Sequence, residues 1–237
     1  MQQRYGPKSI HVSDIRKPDN FPEDIIPFSS LDVTNKSDYL ELVSEVKPTH
    51  ILHLAAFLSA KAEQLFEKSL DVNITAVQNA LDAAKRFNCS IYIPSSIAAF
   101  GPTSPRINTP DDCILQPTTA YGIGKVYSEL LGNYYFKRFG VDYRSLRYPG
   151  AISANPPGGG TTDYAIEIFY EILKTGHYDC FLGQNTTLPM MYMDDLLRGT
   201  CEFIDTPSSY LSRRVYNLAA ISFTPAELVQ SIAKFYQ

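Results

Sequence analysis

Short apolar runs alternate with stretches of helical period along most of the chain. That is the pattern of a parallel sheet whose strands are joined by crossover helices. Runs that read as strands cover residues 9–15, 27–32, 50–55, 90–96 and 142–148. Between them, helical segments are expected at Lys36–Val46, 62–87 and Ala120–Phe139. The segment 90–96 (SIYIPSS) is short, β-branched and bounded by polar residues, as a buried strand should be. After Pro149 the pattern changes, and 155–160 (NPPGGG) is a cluster of helix and strand breakers. Beyond it the spacing predicts a helix from Thr161 to about Lys174 and short strands at 178–182, 189–193 and 215–218. Helices are expected at 194–204 and 225–236, the second with Thr224 as N-cap and Pro225 at its first position. This tail reads as a small lobe beside the main sheet, dividing the chain into 1–150 and 151–237. Its last helix reaches Gln237 without further capping, which reads as a second cut end.

Composition narrows the class. The chain has 237 residues, 44% of them hydrophobic, enough for one large α/β domain with a small annex. Its net charge of −4 argues against a nucleic-acid partner, which would leave a basic stripe. No apolar run approaches the roughly 20 residues needed to span a bilayer, and residues 1–8 are too polar for a secretory signal. The four cysteines (Cys89, Cys113, Cys180 and Cys201) form no C-x-x-C pair and read as reduced thiols of a soluble intracellular protein. His50 and His53, three apart on an expected strand, point to opposite faces, so no metal site is expected.

The sharpest chemical signal is Tyr121-Gly122-Ile123-Gly124-Lys125. Four residues apart near a helix start, Tyr121 and Lys125 share a face and can reach one ligand. A free tyrosine, with a pKa of about 10, is a poor base at neutral pH. A neighbouring ammonium favours the phenolate, and the pair then serves as a general base toward an alcohol. Taken alone, Y-x-x-x-K is also common on solvated helix faces. Upstream, Ser95 and Ser96 sit at the carboxyl end of an expected central strand, where open α/β sheets bind ligands. Ser96 could hold a substrate oxygen against Tyr121, or simply cap the following turn.

The order S-S-x-A-x-F-G at 95–101, then Y-x-x-x-K at 121–125, then Arg147-Tyr148-Pro149-Gly150 resembles the extended short-chain dehydrogenase/reductase family, the group of UDP-galactose 4-epimerase. Within it, several stretches are similar to the L-threonine 3-dehydrogenases: 13–18 (SDIRKP), 56–60 (AFLSA), 100–105 (FGPTSP), 157–165 (PGGGTTDYA), 188–192 (LPMMY) and 222–225 (SFTP). The resemblance implies a Rossmann-type doubly wound parallel sheet with a C-terminal substrate lobe. It implies oxidation of L-threonine to 2-amino-3-oxobutyrate with hydride transfer to NAD. Ser96, Tyr121 and Lys125 match the family's catalytic serine, tyrosine and lysine. Lys125 would also hold the nicotinamide ribose. Asp14, with Ile15 and Arg16 beside it, matches the acidic position that takes the adenosine ribose and favours NAD; Arg16 and Lys17 are a counter-signal toward NADP. Asp32 and Val33 match the adenine contacts. Leu54, Ala55 and Ala56 match the strand end under the cofactor, and Asn73 joins that set. Tyr148, Pro149 and Gly150 match the segment beside the nicotinamide.

Ser59, Thr161 and Thr162 are polar candidates for the amino-acid head group, with Thr161 opening an expected helix whose backbone N–H groups favour a carboxylate. Gly150 joins them as a substrate neighbour. The resemblance also implies a homodimer through the helices at 62–87 and Ala120–Phe139, in the cytoplasm or the mitochondrial matrix.

One feature of the family pattern is missing. A dinucleotide fold opens with a strand and a glycine-rich turn at a helix N-terminus, and the sequence has no G-x-x-G-x-x-G. The expectation is that a β-α unit preceding Met1 is absent, that two central strand edges are left unpaired, and that NAD binds more weakly than low micromolar. Three readings stay open: a fragment of a threonine dehydrogenase, a nucleotide-sugar epimerase or dehydratase of the same superfamily, and a degenerate, non-catalytic paralogue.

Overall fold

The structure, a computed structural model, describes residues 1–22, 24–156, 158–218 and 220–235. Pro157 of the breaker cluster and the expected helix end at Tyr236 lie outside them.

A short helix α1 (Gln2–Tyr5) leads to β1 (Val12–Asp14) and β2 (Phe28–Ser30), which pair in parallel. Helix α2 (Lys36–Val46) follows, its Asn35 side chain accepting from the backbone N–H groups of Ser37 and Asp38. Then come β3 (His50–Leu52), α3 (Ser59–Gln64), α4 (Phe66–Leu70), a π turn (Asp71–Thr75) and α5 (Ala76–Phe87). Next are β4 (Ser90–Tyr92), β5 (Ser95–Ser96), α6 (Ala120–Phe139), β6 (Tyr143–Tyr148) and β7 (Gly150–Ile152). The tail holds α7 (Tyr164–Thr175), β8 (Leu188–Tyr192), α8 (Met193–Asp205), β9 (Val215–Asn217), β10 (Ile221–Phe223) and α9 (Pro225–Ala233).

The larger sheet is parallel throughout. β6 is its spine, pairing with β4 and β5 on one side and with β9 on the other, while β3 pairs with β4. Residues 143–147 of β6 are all buried, as expected for a strand covered on both faces. On one face, α2, α5 and α6 pack Tyr39, Val43, Leu81 and Tyr135 onto Ile51, Ile91 and Tyr143. On the other, Ile204 of α8 joins Tyr92 and Leu146. A separate cluster of Tyr164, Ala165 and Met190 sits among α7 and the β7–β8–β10 sheet. Among the described residues no ladder joins the β1–β2 pair to β3.

Three sequence-based elements differ from their expected form. The strand expected at 90–96 is broken, because Pro94 has no N–H to give to the ladder; β4 and β5 flank the gap. The single helix expected at 62–87 is three pieces with a π turn at Asp71–Thr75, a feature frequent at functional sites. No strand forms at 178–182, where Tyr178, Cys180 and Leu182 instead pack against the Tyr164 cluster. Two strands were not anticipated, β7 and β10, each three residues long and each paired with β8. The expected cap of α9 is present: Thr224 and Glu227 form a reciprocal capping box, with Pro225 at the first position.

The tail does not stand apart from the main sheet, since β9 pairs with β6. Contact between α6 and β6 is close. A Cβ on Gly132 would lie 2.3 Å from the ring of Tyr143, which is fully buried. Gly132→Ala should therefore destabilise by about 1–3 kcal/mol through overpacking, more than the roughly 1 kcal/mol of helix propensity it gains. Urea denaturation reads this directly; a more stable variant would contradict the packing.

Candidate active site

The break at Pro94 and the start of α6 meet. Thr119 caps α6 by accepting from the Gly122 N–H at 3.1 Å, which places Tyr121 in the first turn and Lys125 one turn later. Glu63 of α3 accepts the Ala120 N–H at 2.7 Å, fixing the same helix end. Ser96, at the end of β5, accepts from the Ala98 N–H at 3.1 Å and so caps the turn Ile97–Ala99. It does more than cap, because its hydroxyl also lies close enough to the Tyr121 phenol to favour the phenolate. The Lys125 ammonium donates to the Pro94 carbonyl at 2.7 Å and lies 5.3 Å from the centre of the Tyr121 ring. The proline that breaks the strand thus supplies the carbonyl that holds the lysine.

Both titratable groups are buried. Burial raises the Tyr121 phenol above its ordinary range, with the nearby Ser96 hydroxyl pulling the other way. Burial also lowers Lys125 to about 8, opposed by the charge of Glu129. The expected lowering of the phenol by its lysine neighbour is therefore not the net direction. Desolvation is the larger effect, and the ammonium is engaged with Pro94 instead of the phenol oxygen.

One turn beyond Lys125, Glu129 accepts from Arg147 through two contacts, Nε to Oε1 at 2.9 Å and a terminal nitrogen to Oε2 at 2.7 Å. Ser95 donates to the same carboxylate. Arg147 reaches on to the Asp111 carbonyl at 2.8 Å and Asn217 Oδ1 at 3.1 Å, tying α6, β5, β6, β9 and the loop before α6 together. Of this group the sequence drew attention to Ser95 and Arg147 only as motif members. Glu129, four residues after Lys125, lies on the same helix face, a signal that periodicity alone could have flagged.

The other expected site residues fall as follows. Asp14 ends β1 exposed, its Oδ1 accepting from the Arg16 N–H at 3.1 Å; Ile15 and Arg16 beside it are exposed too. Asp32 accepts from the Thr34 N–H and hydroxyl at 2.9 and 2.7 Å, which hold its carboxyl below the ordinary range. Val33 packs against the main core. Leu54 is exposed, whereas Ala55 and Ala56 line a small cavity with Asn73 and Lys125. The Asn73 amide is bound to the Phe57 backbone, accepting from its N–H at 2.9 Å and donating to its carbonyl at 3.1 Å. The Tyr148 phenol is engaged with Tyr92 and Thr200, both at 2.6 Å. Pro149 is buried, and a Cβ on Gly150 would meet the Met190 sulfur at 2.4 Å and Thr162 at 2.5 Å. Thr162 is thus brought against Gly150. Ser59 opens α3.

Thr161 requires a correction. The helix opens at Tyr164, with Asp163 as its N-cap, so Thr161 does not present a helix N-terminus. The Asp163 carboxylate accepts from the N–H groups of Gly159 and Gly160, both at 2.7 Å, so the loop donors that could have met a substrate carboxylate are already paired. The glycine-rich run folds back onto Asp163 instead of leading straight into a helix.

The floor suits a dinucleotide. Exposed carboxylates stand at the carboxyl ends of β1 and β2, and small side chains follow β3 beside Lys125. Among the described residues, no three His, Cys, Asp or Glu side chains group to hold a metal ion. No described helix is long and apolar enough to cross a membrane.

A family model described as the NAD dependent epimerase/dehydratase family matches residues 4–219. The chain is 47% identical over 238 residues to the mitochondrial L-threonine 3-dehydrogenase of Bos taurus, taking in 99% of the chain and 63% of that relative. It therefore spans a little under two thirds of that relative's length. Among solved structures, the L-threonine dehydrogenase of Phytophthora infestans superposes with a TM-score of 0.94 at 47% identity, covering 99% of this chain and 76% of that one. A metagenomic L-threonine 3-dehydrogenase described as monomeric, in its apo form, superposes with a TM-score of 0.93 at 42% identity, covering 98% and 75%.

Proposed function

We propose, for a chain that belongs to the NAD dependent epimerase/dehydratase family, that it oxidises L-threonine at C3 to 2-amino-3-oxobutyrate. The observation that carries this reading is the gathering of Ser96, Tyr121 and Lys125 by the start of α6 and the strand break at Pro94. Bound NAD supplies the hydride acceptor. Asp14, Ile15, Arg16, Asp32 and Val33 would hold its adenosine end; Leu54, Ala55, Ala56, Asn73, Tyr148 and Pro149 would line the remainder. The exposed Asp14 carboxylate favours free ribose hydroxyls over a 2′-phosphate.

In the reaction, Tyr121 as phenolate takes the proton from the threonine hydroxyl while Ser96 orients that oxygen. Lys125 stabilises the phenolate by its charge. Ser59, Gly150 and Thr162, with Thr161 from the same loop, border the place for the amino-acid head group. In this reading residues 1–150 carry the cofactor and 151–237 the substrate lobe, except that α8 and β9 of the second stretch complete the main sheet and its cover. A homodimer belongs to the same proposal: Ile123, Leu130 and Tyr134 form an exposed stripe on α6. The monomeric description of one relative stands against it.

A second reading, an epimerase or dehydratase acting on nucleotide sugars, is favoured by the description of the matching family model. NADH formation with L-threonine at millimolar NAD, set beside product analysis of UDP- and GDP-sugars, whose epimerisation or dehydration returns the hydride and leaves no net NADH, separates the two. Signal with threonine is expected; turnover of sugars alone overturns the first reading.

A further inference from the structure

A small cavity adjoins Lys125, lined by His53, Ala55, Ala56, Asn73, Gly124 and Ser128 among others. The space open to a water's centre is about 10 Å³, about what a single buried water requires. Two of its lining residues carry a polar atom without a hydrogen-bond partner, His53 Nε2 and Ser128 Oγ. Both residues are almost fully buried, at 4% and 2% exposure. Orphaned buried groups of this kind are costly and rare. Asn73 cannot satisfy them, because its amide is bound to the Phe57 backbone. Lys125 has three donors, one of which goes to Pro94.

We propose that His53 and Ser128 hold one water against the Lys125 ammonium, and are positioning residues that solvate this cation where bulk water does not reach. The bonding closes. The Tyr39 hydroxyl faces His53 Nδ1 at 3.4 Å. With Nδ1 as acceptor, Nε2 carries the proton and donates to the water. The water accepts a second bond from Lys125 and donates to Ser128 Oγ, within the two to four bonds usual for such waters.

The charges around Lys125 agree with this arrangement. Glu129, from the same helix, attracts the ammonium, and Tyr121 is a neutral phenol at neutral pH. His53, at the end of β3, would repel it if protonated, but burial and then Lys125 itself lower the imidazole to about 4. Between pH 6 and 9 the imidazole is therefore a neutral dipole beside the amine. The water supplies solvation that the lysine otherwise lacks.

The inference builds on Lys125 as the partner of Tyr121, yet its test is independent of turnover. The Lys125 amine is titrated by NMR in protein carrying ε-13C-labelled lysine, without substrate or dinucleotide, its signal assigned by its loss in Lys125→Arg. Ser128→Ala and His53→Phe, each removing one anchor of the water, should lower the midpoint by about one pH unit, a tenfold change in protonation. His53→Gln, which keeps a donor at the same reach, should leave it in place. A purely structural role would change stability without moving the midpoint. An unchanged midpoint in folded Ser128→Ala overturns the proposal, and that variant decides alone if His53→Phe fails to fold. A missing threonine activity with the expected midpoint shifts would instead count against the dehydrogenase reading.

Discussion

Tyr121→Phe should lower threonine-dependent NADH formation by about 10²–10⁴-fold, the range for loss of a general base. The phenyl ring keeps the buried shape and removes only the hydroxyl, so the unfolding midpoint in urea should change little. Burial sets the pH dependence. Because the phenol is raised, only a small fraction is phenolate at pH 7, and that fraction grows tenfold per pH unit. The wild-type rate should therefore climb from pH 6 toward 8. Above about 8, Lys125 loses its proton, and its support for the phenolate goes with it, so the climb should flatten. The Phe variant has no group to ionise at that position, and its residual rate should be level over the same range. A variant that retains the wild-type rate would show that Tyr121 is idle and would remove the basis of the proposed chemistry.

The parts of this site that were legible in the sequence are those encoded locally. Helices α2 and α6 have their expected bounds, Lys36–Val46 and Ala120–Phe139, because capping side chains at Asn35 and Thr119 and a left-handed Gly140 punctuate them. With α6 fixed, Tyr121 and Lys125 had to share a face. The strand break needed one more step: Pro94 inside SIYIPSS was a warning against an uninterrupted central strand, and it lay in plain view. The π turn was not legible, since the contacts of Asn73 within it are long-range, its side chain closing on the Phe57 backbone 16 residues away and packing beside Gly124. The direction of the Tyr121 shift was hidden for a similar reason. A neighbouring ammonium can be read from i, i+4 spacing, whereas burial depends on everything that covers the ring. Thr161 was misplaced because the glycines before it suggested a helix start, while the Asp163 side chain claims their N–H groups first.

The largest loss of stability should come from cutting the Glu129–Arg147 pair, whose side chains are 3% and 5% exposed. Removing one partner leaves the other as an uncompensated buried charge, at a cost of about 3–5 kcal/mol. Against a total stability of roughly 5–15 kcal/mol for a domain, that is a large share. Arg147→Met keeps most of the volume and isolates the electrostatic loss; Glu129→Gln keeps the shape and leaves the guanidinium with a neutral acceptor. Replacing both together should recover only part of the loss. Ser95 would still lack its carboxylate, and the Asp111 carbonyl and Asn217 would lack their donor. A double-mutant cycle by urea denaturation should therefore give a coupling energy larger than either single loss but smaller than their sum. The consequence reaches the chemistry too, because Glu129 is the charge that holds Lys125 up against burial. Glu129→Gln should move the lysine midpoint below about 8 and shift the flattening of the rate profile to lower pH. If Arg147→Met loses less than about 1 kcal/mol, the level of an exposed pair, then water reaches this carboxylate and the network does not rigidify the end of β5.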